Sequence, residues 1–325
     1  MKPSHNPLKI GIPNTLFAAY HLFFWRRFMT LAGIEAVISG ESAPEMADRG
    51  GRLLPHEFCV PIKMVTGHII RLLEMGVDQI LLPRMLDCRK NNYFCPKLIG
   101  LPEIVKYTLN LDGRMLFSPT VICNGLTPRV IEHPPLDGVP RRRIRMAEQY
   151  ARQGLSQILD HCRQYQVTLP EAMAKTMTRR PENRLTIGLL GYAYSLYDPF
   201  ISKGILSKLR NLGAALVTWE MLEPHLIEGP LAKLKRPLFW NFGRLLLGAG
   251  LHFLSDSSVD GIVYVTAFGC GPDAVVSEIL KLEAGNRQKP FLLINLDEHA
   301  EDGHLSTRLE AYAGLLTALK EETAG

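Results

Sequence analysis

The sequence predicts an α/β protein with two tandem parallel-sheet domains of the Rossmann or flavodoxin type. Three observations support this. Short apolar strands alternate with helix-length segments, the order of these elements repeats in the second half of the chain, and 325 residues suit two domains of roughly 150 residues each. With 46% apolar residues and a formal net charge of +5, the composition excludes a disordered chain and gives no indication of nucleic-acid binding.

The first elements of the two halves follow the same pattern. An apolar strand that ends in glycine or proline precedes a helix, and a second strand follows the helix. Gly33 and Gly213 stand after the two helices, where glycine favours the left-handed conformation that ends a helix. The predicted segments are residues 8–13 and 185–191 for the first strand, 16–31 and 201–212 for the helix, and 34–38 and 214–217 for the second strand.

A third strand follows a helix end and a tight turn in each half. Each of these strands runs within a few residues into a cysteine, Cys88 in the first half and Cys270 in the second. The predicted helix ends, turns and strands are residues 69–75, 76–78 and 79–82 in the first half, and 251–256, 259–261 and 262–265 in the second.

The repeat divides the chain into three predicted parts. Residues 1–127 form an N-terminal α/β domain, 128–183 a helical basic linker, and 184–325 a C-terminal α/β domain. The linker contains a run of arginines at 141–145, which is either a solvated helix start or a surface for an acidic partner or a ligand phosphate.

The hydropathy pattern gives no indication of export or of membrane insertion. The polar N-terminal residues do not resemble a signal peptide. The longest apolar stretch, residues 245–254, has half the length that a membrane-spanning helix needs, about 20 residues. We therefore expect a cytoplasmic protein with no membrane partner, in which the cysteines are reduced, catalytic or bound to metal.

Three of the six cysteines share a sequence context. Cys59, Cys95 and Cys270 each follow an aromatic residue and precede a proline, which indicates loops at helix starts. Three thiolates from separate loops can hold an iron–sulfur cluster or zinc, and the spacing does not distinguish between them. Free thiols are the alternative. Cys88 shares a loop with Cys95 and is either a fourth ligand or a bystander, whereas Cys123 and Cys162 are expected to pack in the interior.

Further polar candidates follow two predicted strands. Glu298 and His299 come directly after the strand 291–295, where they could move protons or bond to a cluster ligand; a helix cap with surface charge is the alternative. Tyr197 and Asp198 lie in a loop where doubly wound folds bind ligands, although Pro199 favours a capping role for Asp198.

Seven motifs occur in order over about residues 8–318, and together they resemble a known family. This is the activase-related branch (acyl-CoA dehydratase activase-related, or CoA protein activase) of the 2-hydroxyglutaryl-CoA dehydratase D-component family. The motifs are residues 58–63 (FCVPIK), 81–84 (LLPR), 95–97 (CPK), 194–199 (YSLYDP), 268–273 (FGCGPD), 297–299 (DEH) and 307–311 (TRLEA).

The resemblance implies two α/β domains and a [4Fe-4S] cluster held by three cysteines, for which Cys59, Cys95 and Cys270 are the matching positions. A related branch carries a double-cubane cluster instead. The function it implies is that of an iron–sulfur protein that accepts low-potential electrons from an ATP-dependent activase for radical dehydration or reduction of an acyl-CoA substrate. The chain has no Gly-x-x-x-x-Gly-Lys-Ser/Thr loop, so a partner would hydrolyse ATP, and a homo- or heterodimer is expected.

Two alternatives remain at this point. The first is a non-catalytic subunit whose cluster relays electrons, and the second is an α/β binding module that contains structural zinc or no metal. Whether the chain is an enzyme is left open.

Overall fold

Each half of the chain forms a four-stranded parallel sheet, which confirms the predicted α/β class with two tandem sheets. The structure is a computed structural model, and it describes residues 8–89, 92–134, 136, 138–175, 185–297 and 302–324. It divides into two compact units, Met1–Gln157 (unit 1) and Ile158–Gly325 (unit 2). The boundary between the two units falls within a helix of 25 residues, Arg141–Tyr165.

Unit 1 alternates strands and helices up to the start of that long helix. Its elements are β1 (Lys9–Ile12), α1 (Ala18–Ala32), β2 (Glu35–Ile38), α2 (Pro44–Gly51), α3 (Val60–Glu74), β3 (Gln79–Leu81), β4 (Arg84–Met85), β5 (Asp87–Arg89), β6 (Asn92–Tyr93), α4 (Pro96–Ile99), α5 (Leu101–Thr108), a 3-10 turn (Gly113–Met115), β7 (Leu116–Phe117), β8 (Thr120–Asn124), β9 (Thr127–Glu132) and α6 (Arg141–Tyr165).

The parallel sheet of unit 1 has the strand order β2-β1-β3-β7. Ile10 of β1 pairs with Ala36 of β2 on one side and with Gln79 of β3 on the other. A second sheet, β4-β8-β9, and the β5-β6 hairpin follow the main sheet along the chain. The carboxyl ends of β1 and β3 therefore lie side by side at one edge of the parallel sheet.

Unit 2 also alternates strands and helices. Its elements are α7 (Leu169–Ala174), β10 (Leu185–Gly191), α8 (Ala193–Tyr197), α9 (Ile205–Asn211), β11 (Ala214–Thr218), a 3-10 turn (Trp219–Met221), α10 (Pro224–Leu231), α11 (Asn241–Ser255), β12 (Gly261–Ala267), α12 (Gly271–Asn286), β13 (Phe291–Leu296) and α13 (Asp302–Ala324).

The sheet of unit 2 has the order β11-β10-β12-β13. When the strands of each parallel sheet are numbered along the chain, the order is 2-1-3-4 in both units. Every residue of β12 is buried, as expected for a parallel strand covered on both faces. The core on one face of the sheet is built from strand residues together with residues of α9 and α13, such as Leu209 and Leu309.

Both predicted helix-ending glycines adopt the expected conformation, since φ is 81° at Gly33 and 78° at Gly213. The helices before them begin later than predicted. The first begins at Ala18 because Leu16 has a φ of 60°, which a right-handed helix cannot contain. The second begins at Ile205, after two residues with positive φ (Lys203 and Gly204).

Helices α2 and α3 cross with backbone against backbone. A Cβ atom on Gly50 would lie 1.9 Å from the carbonyl oxygen of Lys63, and one on Gly67 would lie 2.0 Å from that of Met46. Any side chain at either position would push the helices apart. This contact fixes the position of α3, whose first residue follows Cys59 directly.

Replacement of Gly50 tests this contact. Gly50→Ala is expected to lower the free energy of unfolding by about 1–3 kcal/mol, because the new methyl group overlaps the Lys63 carbonyl. Gly51→Ala, in the same helix, is the matched control: its Cβ would meet the Lys63 Cδ atom at 3.7 Å, an ordinary contact. Urea unfolding followed by circular dichroism measures both variants, and an equal loss in the two would contradict the assignment.

Candidate functional site

Two of the three predicted metal-binding cysteines lie in unit 1, each immediately before a helix. Cys59 is the N-terminal cap residue of α3, and Cys95 has the same position before α4. The backbone at both is extended, with φ and ψ of −66° and 152° at Cys59 and −65° and 150° at Cys95, and a proline stands in the first turn of each helix. The predicted location of both cysteines at helix starts is confirmed.

The side chain of Lys97 joins the two cysteine loops. Its Nζ donates a hydrogen bond of 2.9 Å to the carbonyl oxygen of Glu57 and lies 4.9 Å from the centre of the Phe58 ring. Lys97 follows Cys95 by two residues, and Phe58 directly precedes Cys59. The lysine therefore holds the start of α4 against the segment that leads into α3.

Burial raises the pKa of the Cys59 thiol, while the positive charge of Lys97 and the backbone N–H of Ile62 act in the opposite direction. Burial also raises the pKa of Cys95, with the backbone N–H of Leu98 opposing it and the nearby charge of Cys59 adding to it. The charge of Cys59 thus acts on the Cys95 thiol, and Lys97 joins the loops that carry the two cysteines. Both are half-buried and neutral at pH 7, so metal binding or alkylation requires the loss of a proton.

The role of Lys97 can be tested through the reactivity of the Cys59 thiol. Lys97→Gln removes the charge that opposes the effect of burial, so we expect a higher pKa of Cys59 and slower alkylation by iodoacetamide at each pH below that pKa. Peptide mass spectrometry over a pH series measures the rate. Lys106→Gln, at a lysine that lies over Tyr107, is the control. Unchanged alkylation in Lys97→Gln would show that the lysine has no electrostatic role.

The third predicted ligand, Cys270, lies in unit 2 and caps α12 at the carboxyl end of β12. The preceding residue, Gly269, has a φ of 78°, which turns the chain from the strand into the helix. The Tyr194 hydroxyl donates to the Cys270 Sγ atom at 3.9 Å, and the ring of Tyr192 stacks on that of Tyr194. Cys270 is half-buried, at an edge of the sheet where open α/β folds bind ligands.

Asp273, in the first turn of α12, has features of a functional carboxyl group that the sequence analysis did not recognise. It is 0% exposed and accepts hydrogen bonds from the hydroxyls of Tyr264 at 2.7 Å and Thr266 at 2.9 Å. Burial raises its pKa to about 7, although both hydrogen bonds favour the carboxylate. The group can therefore gain or lose a proton near neutral pH, three residues after Cys270. The sequence did not indicate this role, because an aspartate in the first turn of a helix is usually exposed to solvent.

The raised pKa of Asp273 predicts a specific pH dependence of stability. Between about pH 4 and pH 7 the folded protein binds this proton more tightly than the unfolded chain, so the free energy of unfolding decreases as the pH rises through this window. The largest slope is about 1.4 kcal/mol per pH unit. Asp273→Asn is expected to lack this contribution.

Urea unfolding at pH 5 and pH 7 measures the difference between the two proteins. Glu278→Gln, at an exposed position of the same helix, is the control. An identical pH dependence in wild type and Asp273→Asn would show that the carboxyl group is not protonated near neutrality.

The other cysteines have different surroundings. Cys123 is buried in β8, and Cys162 is buried in α6, where burial and the charge of Glu220 raise the pKa of its thiol to about 12. The side chain of Cys88 lies outside the described residues, and so do Glu298 and His299. The roles predicted for these three residues stay predictions.

Asp198 and Tyr197 make hydrogen bonds within unit 2. The Asp198 Oδ1 atom accepts from the backbone N–H groups of Phe200 and Ile201, both at 3.1 Å. These residues form a turn and the next helix begins only at Ile205, so the prediction that Asp198 caps a helix is wrong. The Tyr197 hydroxyl donates to the Glu220 carboxylate at 3.0 Å.

His68 of α3 has a structural environment. Its Nδ1 atom lies 2.7 Å from the Ser39 hydroxyl and its Nε2 atom 2.9 Å from the Ser42 hydroxyl. Burial, with a smaller effect of the Arg71 charge, lowers the pKa of His68 to about 4, so the ring is neutral at pH 7.

The described part of the chain contains no group of three or more histidine, cysteine, aspartate or glutamate side chains that could hold a metal ion. Of the three cysteines that the resemblance assigns to a [4Fe-4S] cluster, Cys59 and Cys95 belong to unit 1 and Cys270 belongs to unit 2. The [4Fe-4S] and double-cubane clusters stay predictions from the resemblance.

The fold and the thiol loops define a tandem α/β protein with cysteines at helix starts, and the family comparison is more specific. Residues 9–222 match the family described as CoA enzyme activase uncharacterised domain (DUF2229). The match covers about two thirds of the chain, which therefore belongs to this family. No curated protein matches the chain. Within the described residues, no helix combines the length and hydropathy needed to cross a membrane.

Family membership confirms the activase-related part of the resemblance and corrects the predicted function. The prediction of an iron–sulfur D-component that accepts electrons from an activase is wrong, because the matching family is described as an activase domain. The described residues also assemble no group that could hold a metal ion, whereas a D-component depends on its cluster. The D-component assignment is not confirmed.

Proposed function

We propose that this chain is part of the activating machinery of a CoA-dependent enzyme and acts through the Cys59–Cys95 thiol pair. The observation that carries the proposal is the family match, which spans both thiols and the lysine that joins their loops. The proposed partner is an enzyme with an acyl-CoA substrate, because an activase acts on another protein.

The arrangement of unit 1 supports a role for the thiol pair. Helix α3 is held by the backbone contacts of Gly50 and Gly67, and α4 is held through Lys97. Each of the two cysteines therefore directly precedes a helix whose position is fixed. Both thiols are half-buried and therefore partly accessible to a partner. We propose that activation requires both thiols in their reduced form.

The sequence indicates that the energy source lies elsewhere. It contains neither a Gly-x-x-x-x-Gly-Lys-Ser/Thr loop nor an Asp-x-Gly-Ser/Thr phosphate loop. We therefore propose that a second, ATP-hydrolysing component works together with this chain. The cytoplasm is the proposed location, since its reducing conditions maintain free thiols.

A reconstituted activation assay tests the proposal. An inactive 2-hydroxyacyl-CoA dehydratase is incubated anaerobically with its ATPase activase, ATP and a reductant, with and without this chain, and turnover of the thioester is measured. We expect the chain to increase the initial rate. The double variant C59A/C95A is expected to lose most of this stimulation, because it lacks the thiol pair.

Cys123→Ala is the matched control, since it removes a buried cysteine of the same unit. Its stimulation should equal that of the wild type. Absence of stimulation by the wild-type chain would overturn the proposed function. Equal stimulation by C59A/C95A would overturn the role of the thiols.

A further inference from the structure

An apolar cavity of about 60 Å³ lies at the carboxyl ends of β1 and β3 in unit 1 and opens to solvent. The two strands are neighbours in the sheet, but the chain passes from β1 to β2 before it returns to β3. This is the point at which open parallel sheets bind ligands. The lining is almost entirely aliphatic and aromatic, and it includes Ile12, Leu16, Trp25, Leu82, Met85 and Leu98.

His21 of α1 brings a hydrogen-bonding group to this apolar lining. The residue is 4% exposed, and its Nε2 atom lies 3.0 Å from the carbonyl oxygen of Leu126. A carbonyl oxygen only accepts hydrogen bonds, so Nε2 carries the proton. Burial lowers the pKa of His21 to about 4, which leaves the ring neutral at pH 7. The Nδ1 atom is then a bare acceptor, and no described residue donates to it.

The backbone next to the cavity is strained. Leu16 lines the cavity with a φ of 60°, in the left-handed region that a leucine rarely adopts. Strain of this kind persists where the surrounding structure enforces it, and it is concentrated at ligand sites.

The size of the cavity restricts the ligand. One water molecule needs roughly 10–15 Å³, so a cavity of about 60 Å³ suits a ligand of about four non-hydrogen atoms, with room at the opening for one more. The neutral lining disfavours ions, and a single acceptor suits a ligand with a single donor.

We propose that this cavity binds a small aliphatic alcohol of about four or five non-hydrogen atoms, whose hydroxyl donates to the Nδ1 atom of His21. The aliphatic part of the ligand replaces water against the apolar lining, and the hydroxyl satisfies the acceptor. This site is independent of the thiol pair and of the proposed function.

Two isomeric probes test the proposal with the full chain. Butan-1-ol and diethyl ether have the same atoms, but the ether has no donor. Nuclear magnetic resonance titrations follow the ¹⁵N shifts of the His21 ring and of the backbone amides that line the cavity. We expect saturable shifts with butan-1-ol, a change at Nδ1, and binding roughly 2- to 10-fold tighter than that of the ether. In His21→Phe the preference for the alcohol should disappear.

A second variant tests the cavity without disturbing His21. Leu98 is a half-buried lining residue, and Leu98→Trp is expected to fill the cavity and abolish binding of both probes. Leu282→Trp, at an exposed position of α12, should bind as the wild type does. The proposal is overturned if no saturable shift occurs in the wild type, if the two isomers bind equally, or if Leu98→Trp binds butan-1-ol unchanged.

Discussion

The position of the thiol pair in unit 1 depends on the direct contact between the backbones of α2 and α3. Glycine at positions 50 and 67 lets carbonyl groups of the opposite helix approach to distances that exclude any side chain. Because α3 cannot shift along α2, its first turn is held in place and Cys59 with it. Lys97 then brings the start of α4 to the same place, so a packing constraint determines the geometry of the two thiols.

The sequence contained enough information for the architecture. Alternating apolar strands and helices, and the repeated order of elements, predicted two parallel sheets, and both have the same strand order. Gly33 and Gly213 could be identified as helix ends because their role is local. The late start of α9 could not be predicted, since the positive φ of Lys203 is imposed by its surroundings and not by its residue type.

The site was predictable only in part, for a similar reason. The aromatic-cysteine-proline context placed Cys59, Cys95 and Cys270 at helix starts, which is a property of neighbouring residues. The raised pKa of Asp273 arises from complete burial, which outweighs the opposing effect of hydrogen bonds from hydroxyls on another element, and neither the burial nor these partners can be read from spacing. The resemblance correctly indicated an activase-related protein, but it assigned a D-component function that the family match contradicts.

The cavity of unit 1 has a consequence for the response of the protein to hydrostatic pressure. Unfolding removes internal voids, so pressure favours the unfolded state in proportion to the void that is lost. Because this cavity opens to solvent, water can enter it, and its 60 Å³ adds to the volume change of unfolding only where the apolar lining keeps water out. A bound molecule beside Leu16 and His21 would remove that part as well, so unfolding of unit 1 would depend less on pressure in its presence.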